Sequence, residues 1–591
     1  MPRSRSVASP LRGIDRRTVL AVTAAASATA GLGYALQPIE SQAAPTAPAA
    51  DPAPRTPVPA PRAAVPAAAP LAPYTRGTTL AAVATAKSGS GYRRLGSGPG
   101  WRRVVRGELA AGKAGRAGRR TALASFVQLT DLHLMDSQHP LRVEFLRAAQ
   151  PHAWRPQEAL TVHGAIALVE RVNALRAGPV TGAPLGCVVS TGDNTDNNSV
   201  LELDWYLKVM SGGRIAPNSG DPRHYEGALS SGLKLYWQPD SAVRDQYKQR
   251  GFPHLEGFLD AAVREVRSPG LRLPWYSTVG NHDSMPVGCF GHGDSYLAEF
   301  AVGDRKLLSV PPAEARRLQK HIYDGTDPQG RALGELLRSH ARQMRPVTPD
   351  GRRALFTPAD HVRAHLDPEH TGPGPVGHGY SAANLDAGTQ YYAFPLSADV
   401  LGISLDTTDP GGYYTGSVDA AQMAWLERTL RAHRDTYVIV FSHYTSRSMP
   451  GPAVPDPARP HERRHNGDEL LALLGRHRNV VAWVNGHEHR NAVTAHPGSG
   501  GHGFWEVSTA SHVEFPQLAR VVELVDNRDG TLSLHTTLVE SAAPHRTDFA
   551  DLSQTGLAAL YRELSFNANE GSLRLQGDPG DRNTELLLKK G

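Results

Sequence analysis

Cysteine is nearly absent: the chain has 591 residues and only two cysteines, Cys187 and Cys289. Two thiols exclude a disulfide-stapled scaffold and a thiolate metal cage. Cys187 lies in the apolar run Leu185 to Ser190, a setting for a buried, inert thiol. A Cys187–Cys289 bridge stays open, because sequence does not fix their separation. A long, strongly apolar run is also missing. The longest, Val19 to Leu36, is mostly Ala, Gly and Thr, too weakly hydrophobic for a stable membrane span. No internal repeat is visible. The body of the chain lacks a basic face. The net charge is +6, but residues 1–120 hold 18 Lys and Arg against 4 Asp and Glu, which leaves −8 for the remainder. So acidic a body carries no nucleic-acid footprint. The basic arm reads as a solvated leader and linker, with a polyanion- or envelope-binding strip as the alternative. With 40% hydrophobic and 20% charged residues, a sizeable core is available.

The punctuation of the chain divides it. In residues 1–43, Arg3, Arg5 and Arg12 precede the pair Arg16–Arg17 and an Ala-rich stretch, and Ser41-Gln42-Ala43 fits a small-x-small cleavage site. Asp15 to Leu20 resembles a twin-arginine export signal, with departures at Asp15 and Val19. That resemblance implies the twin-arginine machinery as a partner and an exported, secreted or envelope-associated chain, folded before export. Residues 44–75 are an Ala/Pro-rich spacer. A basic arm spans 76–120, the main domain 121–545, and an extension packed on that domain 546–591. Long inserts are expected near 197–270 and 284–398, as walls, lids or surface decoration.

Within the main domain, apolar runs repeatedly end in polar clusters. Phe126 to Leu129 runs into Thr130-Asp131, and Cys187 to Val189 into Thr191-Gly192-Asp193. Trp275 to Val279 leads to Gly280-Asn281-His282, Tyr437 to Phe441 to Ser442-His443, and Val480 to Val484 to Asn485-Gly486-His487. Such runs suit strands buried on both faces. Helical spacing lies between them, in Thr161 to Arg176, in a helix capped by Asp419, and in Asp468 to Leu474. The pattern is α/β with polar groups at strand C-termini. Asn527 to Gly530 marks a hairpin.

Read at the strand ends alone, the chain gives Asp131-x-His133, Gly192-Asp193-x-x-Asp196, Gly280-Asn281-His282-Asp283, His443 and Gly486-His487-x-His489. Carboxylates and imidazoles are a ligand set for divalent ions such as Mn, Fe or Zn. In the two x-spaced pairs, both side chains should emerge on one side of an extended turn. The glycines should allow close backbone approach. Each motif alone is weak; the five in order, each after an apolar strand, are specific.

In these motifs and their order the chain resembles the calcineurin-like metallophosphoesterase superfamily over most of residues 121–545. It looks closest to a long-insert exported group, through stretches such as Arg76 to Leu80, Ser508 to His512 and Asp581 to Asn583. The resemblance implies an α/β fold of two packed mixed β-sheets flanked by helices, with two divalent metal ions at one edge. By it, Asp131, His133 and His489 hold one ion, and Asn281, His443 and His487 the other. Asp193 bridges them, its carboxylate having two oxygens with which to hold both ions. The implied reaction is phosphoester hydrolysis by a metal-bridging hydroxide, with His282 as general acid. Asp196 orients His282; Asp283 is its rival for that role, or else a turn carboxylate. Asp196 in place of a Tyr, and His133 as a ligand, argue against a purple acid phosphatase. The 102 residues after His489 leave little room for the separate substrate domain of extracellular 5′-nucleotidases. Phosphodiesters and phosphomonoesters both remain open as substrates, with a lean to diesters. The alternative is a non-catalytic exported metal-binding protein of the same fold. His139, His163, His512 and the histidines of the second insert are expected at the surface. Tyr413, Tyr414 and Trp237 are expected to pack in core or lid.

Overall fold

The computed structural model describes residues 72–451, 455–456, 458–568 and 572–591. The leader 1–43 and nearly all of the 44–75 spacer lie outside the described residues.

Two sheets carry the fold. In chain order their strands are β1 (Val104–Arg106), β2 (Thr121–Leu129), β3 (Val188–Thr191), β4 (Trp275–Thr278), β5 (Tyr392–Pro395), β6 (Val400–Ser404) and β7 (Tyr437–Phe441). There follow β8 (Val480–Asn485), β9 (Ala492–Pro497), β10 (Gly503–Ser508), β11 (Leu518–Asp526), β12 (Thr531–Glu540) and β13 (Thr584–Lys589). The first sheet has the order β1-β13-β12-β11-β2-β3-β4 and the second β5-β6-β7-β8-β10-β9. Both are mixed. β2, β3 and β4 run parallel, as do β6, β7, β8 and β10, while the β11–β12 hairpin and the outer strands β5 and β9 pair antiparallel.

All five apolar runs singled out above are strands, and the reason lies in their alternation. A strand points successive side chains to opposite faces, and here both faces are covered. Phe126 of β2 and Ile439 and Phe441 of β7 point between the sheets, where Val522, Leu534 and Trp505 meet them. The Phe126 and Phe441 rings, one from each sheet, lie 5.4 Å apart edge to face. Val127 and Leu129 point outward, under Val162, Ile166 and Val169 of α1 (Thr161–Ala174) and Leu203 and Tyr206 of α2 (Val200–Ser211). On the far side Val438, Val440 and Trp483 pack beneath Leu426 and Leu430 of α3 (Ala420–Ala432) and Leu470 and Leu474 of α4 (Gly467–Leu474). The Asp419 side chain caps α3 by accepting from the Gln422 N–H at 2.8 Å. The layers run helix, sheet, sheet, helix, the architecture expected from the sequence.

The two inserts carry cores of their own. The first supplies α2 and an aromatic cluster of Tyr236, Trp237, Tyr247, Phe252 and Phe258, packed against Leu557 and Tyr561 of α5 (Gln554–Ala568). Trp237 is fully buried there. The second packs Phe290, Leu297, Leu318 and Leu337 against Leu141 and Phe145. The Tyr413 and Tyr414 rings lie against one another at a tilt, with centroids 4.6 Å apart. Both cysteines are buried and free. Among the described residues no helix is long and apolar enough to cross a membrane.

Phe441 is completely buried at the seam between the sheets. Phe441→Ala should therefore lower unfolding free energy by about 3–5 kcal/mol, the usual range for emptying such a site, as read from denaturant unfolding. A loss below about 1 kcal/mol would contradict the packing described.

Candidate metal centre

The C-terminal ends of β2, β3 and β4 from one sheet and β7 and β8 from the other open onto one edge of the sandwich. The loops leaving β2 and β3 are zipped together: the Asp131 N–H donates to the Gly192 carbonyl at 3.0 Å, and the His133 N–H to the Asp193 carbonyl at 2.9 Å. The backbone there is not the extended turn the spacing suggests. Asp131, His133, Asp193, His487 and His489 all have positive φ, between 42° and 67°. Non-glycine residues seldom adopt that region, and clusters of them mark functional sites. Two glycines are needed for approach: a Cβ on Gly280 would lie 2.2 Å from Asp193 Oδ1, and one on Gly486 2.0 Å from Thr130 Oγ1.

The structure brings all ten sequence-predicted site residues to this edge, where their ligand atoms form overlapping groups. Asp131, His133 and His489 form one; Asp193, His443 and His487 form a second; His133, Asp196 and His282 form a third. Asn281 joins the second: its Nδ2 donates to the Gly288 carbonyl at 2.9 Å, which turns Oδ1 toward His443 Nε2 at 3.1 Å. Asp193 stands between the first two groups, with Oδ2 3.5 Å from His133 Nε2 and 3.2 Å from His443 Nε2. Its Oδ1 accepts the His282 N–H at 2.9 Å. Oδ2 thus faces both groups, while Oδ1 also accepts a backbone amide.

Three imidazoles are oriented by acceptors at Nδ1. His443 donates to the Thr191 carbonyl at 3.0 Å, His133 to Asp196 Oδ1 at 3.0 Å and His489 to Glu514 Oε2 at 3.0 Å. This leaves each Nε2 facing the centre, the arrangement that fixes tautomer and basicity in metal-binding histidines. His133 Nε2 is buried with no hydrogen-bond partner. That orphaned nitrogen, among carboxylates and other imidazoles, fits a divalent cation of the Mn, Fe or Zn kind.

The electrostatics agree. Burial opposes charge on His443, yet the Asp193 carboxylate raises its pKa to about 9; burial likewise opposes charge on His489, yet Asp131 and Glu514 raise it to about 10. His487, desolvated and beside His443, is driven down to about 3. Burial favours the neutral acid at Asp193, but His443 and His282 hold its pKa well below the usual carboxylate range. Without metal, protons on two histidines balance the buried carboxylates. Cations would take over that task.

One role assignment changes, and of the two alternatives for Asp283 the geometry fits the turn carboxylate. The Asp196 carboxylate does not orient His282, because His133 Nδ1 and the Arg142 guanidinium take its two oxygens. The Asp196 backbone carbonyl does so instead, accepting from His282 Nδ1 at 2.5 Å. Asp283 is a turn carboxylate. It accepts the N–H groups of Asn194, Thr195 and Gly280, clamping the loop after β3 to the loop after β4. Burial and the Asp193 charge push its pKa up to about 6. The expectation of surface histidines holds for His292, which is exposed, but fails for most of the others. His139, His163, His512, His361, His365 and His378 are buried; among the described residues none belongs to a metal-type group.

Sequence reading missed the supports. Arg142, buried, pairs with Glu158 and Asp196. Glu202 accepts the N–H groups of Asp136, Asp196 and Asn197. Glu514 holds His489 and is itself paired with Arg155 at 2.7 Å. None follows an apolar strand end, so no local signal marks them.

No family model matches the chain, and no curated protein does. Among solved structures it is similar to a dimetal phosphatase from Danio rerio, with 11% identity and a TM-score of 0.33, over 71% of this chain and 100% of that one. It is also similar to a 5′-nucleotidase precursor from Thermus thermophilus, with 14% identity and a TM-score of 0.27, over 74% of this chain and 58% of that one.

Glu514→Gln keeps the shape and removes the charge behind His489. Metal affinity should fall ~10–100-fold, as read by competition with a chromogenic chelator. Unchanged affinity would mean that His489 is positioned without this carboxylate.

Proposed function

We propose that this chain is a binuclear, metal-dependent phosphoester hydrolase of the calcineurin-like metallophosphoesterase type, with Mn, Fe or Zn as its ions. The observation that carries the reading is Asp193 Oδ2 lying between His133 of one ligand group and His443 of the other. When bound, two such cations activate water as the nucleophile and offset charge on the phosphoryl oxygens.

The protein's own groups do the rest. Asp131, His133 and His489 hold one ion; Asn281, His443 and His487 hold the second; Asp193 is shared. His282 belongs to neither set in this reading; its Nδ1 donates to the Asp196 carbonyl, which orients the ring. As the imidazolium, it delivers the Nε2 proton to the leaving oxygen as that oxygen's bond to phosphorus breaks, and is left neutral with Nδ1–H in place. Gly288 keeps Nε2 accessible: a Cβ there would come within 2.4 Å of it. Asp196 acts through His133 and Asp283 through the loop backbone, so both are positioning residues.

The decisive assay is hydrolysis of bis- and mono-p-nitrophenyl phosphate by the full chain after loading with Mn, Fe, Zn or Mg. Asp193→Asn should abolish turnover and lose metal. His282→Ala should retain metal and lower kcat by about 10²–10⁴-fold. Full activity in either variant, or two bound ions with no turnover of any ester, would refute this assignment of roles.

The Arg16–Arg17 leader supports a second proposal, export of the folded protein by the twin-arginine machinery. A chain carrying Arg16→Lys and Arg17→Lys should stay in the cytoplasm of an expressing bacterium. Export of that variant in full would identify a different route.

A further inference from the structure

A cavity of about 430 Å³ opens beside the metal centre, lined at its inner end by His487 and His489. Its volume falls within the ~300–1,000 Å³ usual for small-molecule sites. Phe515, Ala568 and Leu575 give it apolar walls, and Arg574 stands exposed on its lining. The wall is fixed to the centre rather than hung beside it. The Leu575 carbonyl accepts the Asn491 N–H at 3.0 Å, and the Asn491 Nδ2 donates to the Gln576 carbonyl at 3.2 Å. Asn491 is two residues beyond His489, so the C-terminal segment is registered directly on a ligand loop.

The cavity lies away from the proton donor. The His133 ring lies 4.6 Å by centroids from His282 and 5.2 Å from His489. His489 lines the cavity; His282 does not. A leaving alcohol must sit by His282 to receive its proton. A group in the cavity is therefore one that stays attached to phosphorus, and a phosphomonoester has no such group.

We propose that the cavity binds the retained alcohol of a phosphodiester, an apolar group of ring size, with Arg574 favouring an anionic substituent on it. This rests on the hydrolase reading above. In the balanced reaction, water gives up one proton to solvent as its oxygen bonds to phosphorus, and the bond to the other alcohol breaks. That alcohol leaves with the proton from His282, and the ring-bearing monoester is released. The apolar wall supplies area that a retained methyl group cannot cover. The guanidinium matches a carboxylate or phosphate. Arg155, also on the lining, is already committed to Glu514.

The test holds the leaving group constant. The metal-loaded full chain is given methyl, phenyl and 4-carboxyphenyl p-nitrophenyl phosphates, and kcat/KM is measured for each. The phenyl ester should exceed the methyl ester by ~10-fold or more, and the 4-carboxyphenyl ester should exceed the phenyl. Leu575→Asp should collapse the phenyl-to-methyl ratio toward one. Arg574→Ala, an exposed change, should remove only the advantage of the carboxylate. Equal turnover of the three esters by wild type and variants would overturn the cavity assignment and leave the hydrolase standing, as would turnover of monoesters alone. Failure of the metal-loaded protein on every ester would remove the hydrolase reading, and this inference with it.

Discussion

Asp131 and Asp193 are carboxylates withdrawn from water and brought to one edge by neighbouring parallel strands. Each stands two residues beyond the end of its strand, and paired strands lie only ~4.8 Å apart. Buried charges of one sign at that spacing need compensation. The four ligand histidines, the Asn281 amide oxygen and the tilted loops can be read as the answer to that requirement. His443 and His489 have raised pKa values because they serve it in the absence of metal. The left-handed backbone at five of the seven candidate ligands serves it too. Each such residue costs on the order of 1 kcal/mol. The strain persists because the loops are over-determined: Glu202 holds the backbone of residues 196–197 and Asp283 that of residues 194–195.

The sandwich is what makes the two halves of the centre meet. One half is carried by the first sheet and the other by the second, so their separation is set by packing between the sheets. A buried polar knot fixes the same distance just beneath the ligands. Gln128 donates to the Asn485 carbonyl across the seam at 2.8 Å and to Thr191 Oγ1 at 2.9 Å, and accepts from Thr509 Oγ1 at 2.6 Å. An apolar residue at 128 would remove three hydrogen bonds from the dry interior. Fold stability and ligand geometry are one quantity here.

The ligands were legible because each closes a strand with an apolar signature of its own, such as Tyr437 to Phe441 before His443. The hairpin at Asn527 to Gly530 and the Asp419 cap were local signals of the same kind. Buried supports had no such signal. Arg142 looks like any surface arginine until Glu158 and Asp196 are folded around it, and Glu514 reaches His489 only through the loop that precedes β11. The buried histidines misled for a related reason: His378 is covered by Trp275, with ring centroids 3.4 Å apart, a contact between distant segments. β13 is likewise invisible as an inner strand until β1 and β12 flank it.

The long inserts take their meaning from the charge chain behind the centre. Asp196 holds His133 and is paired with Arg142, which is paired in turn with Glu158. Alongside runs a second buried pair, Lys306 with Glu144 at 2.7 Å, and the Lys306 amine also donates to the His139 carbonyl at 2.5 Å. Lys306 belongs to the second insert, while Glu144 and His139 follow β2. Breaking a buried ion pair by removing one partner commonly costs about 3–5 kcal/mol. An insert anchored through Lys306 therefore cannot swing as a free lid at that point; it is a wall that keeps water away from the charges behind Asp196. His133, the ligand histidine that Asp196 holds, has its Nε2 left without a hydrogen-bond partner, facing the shared carboxylate.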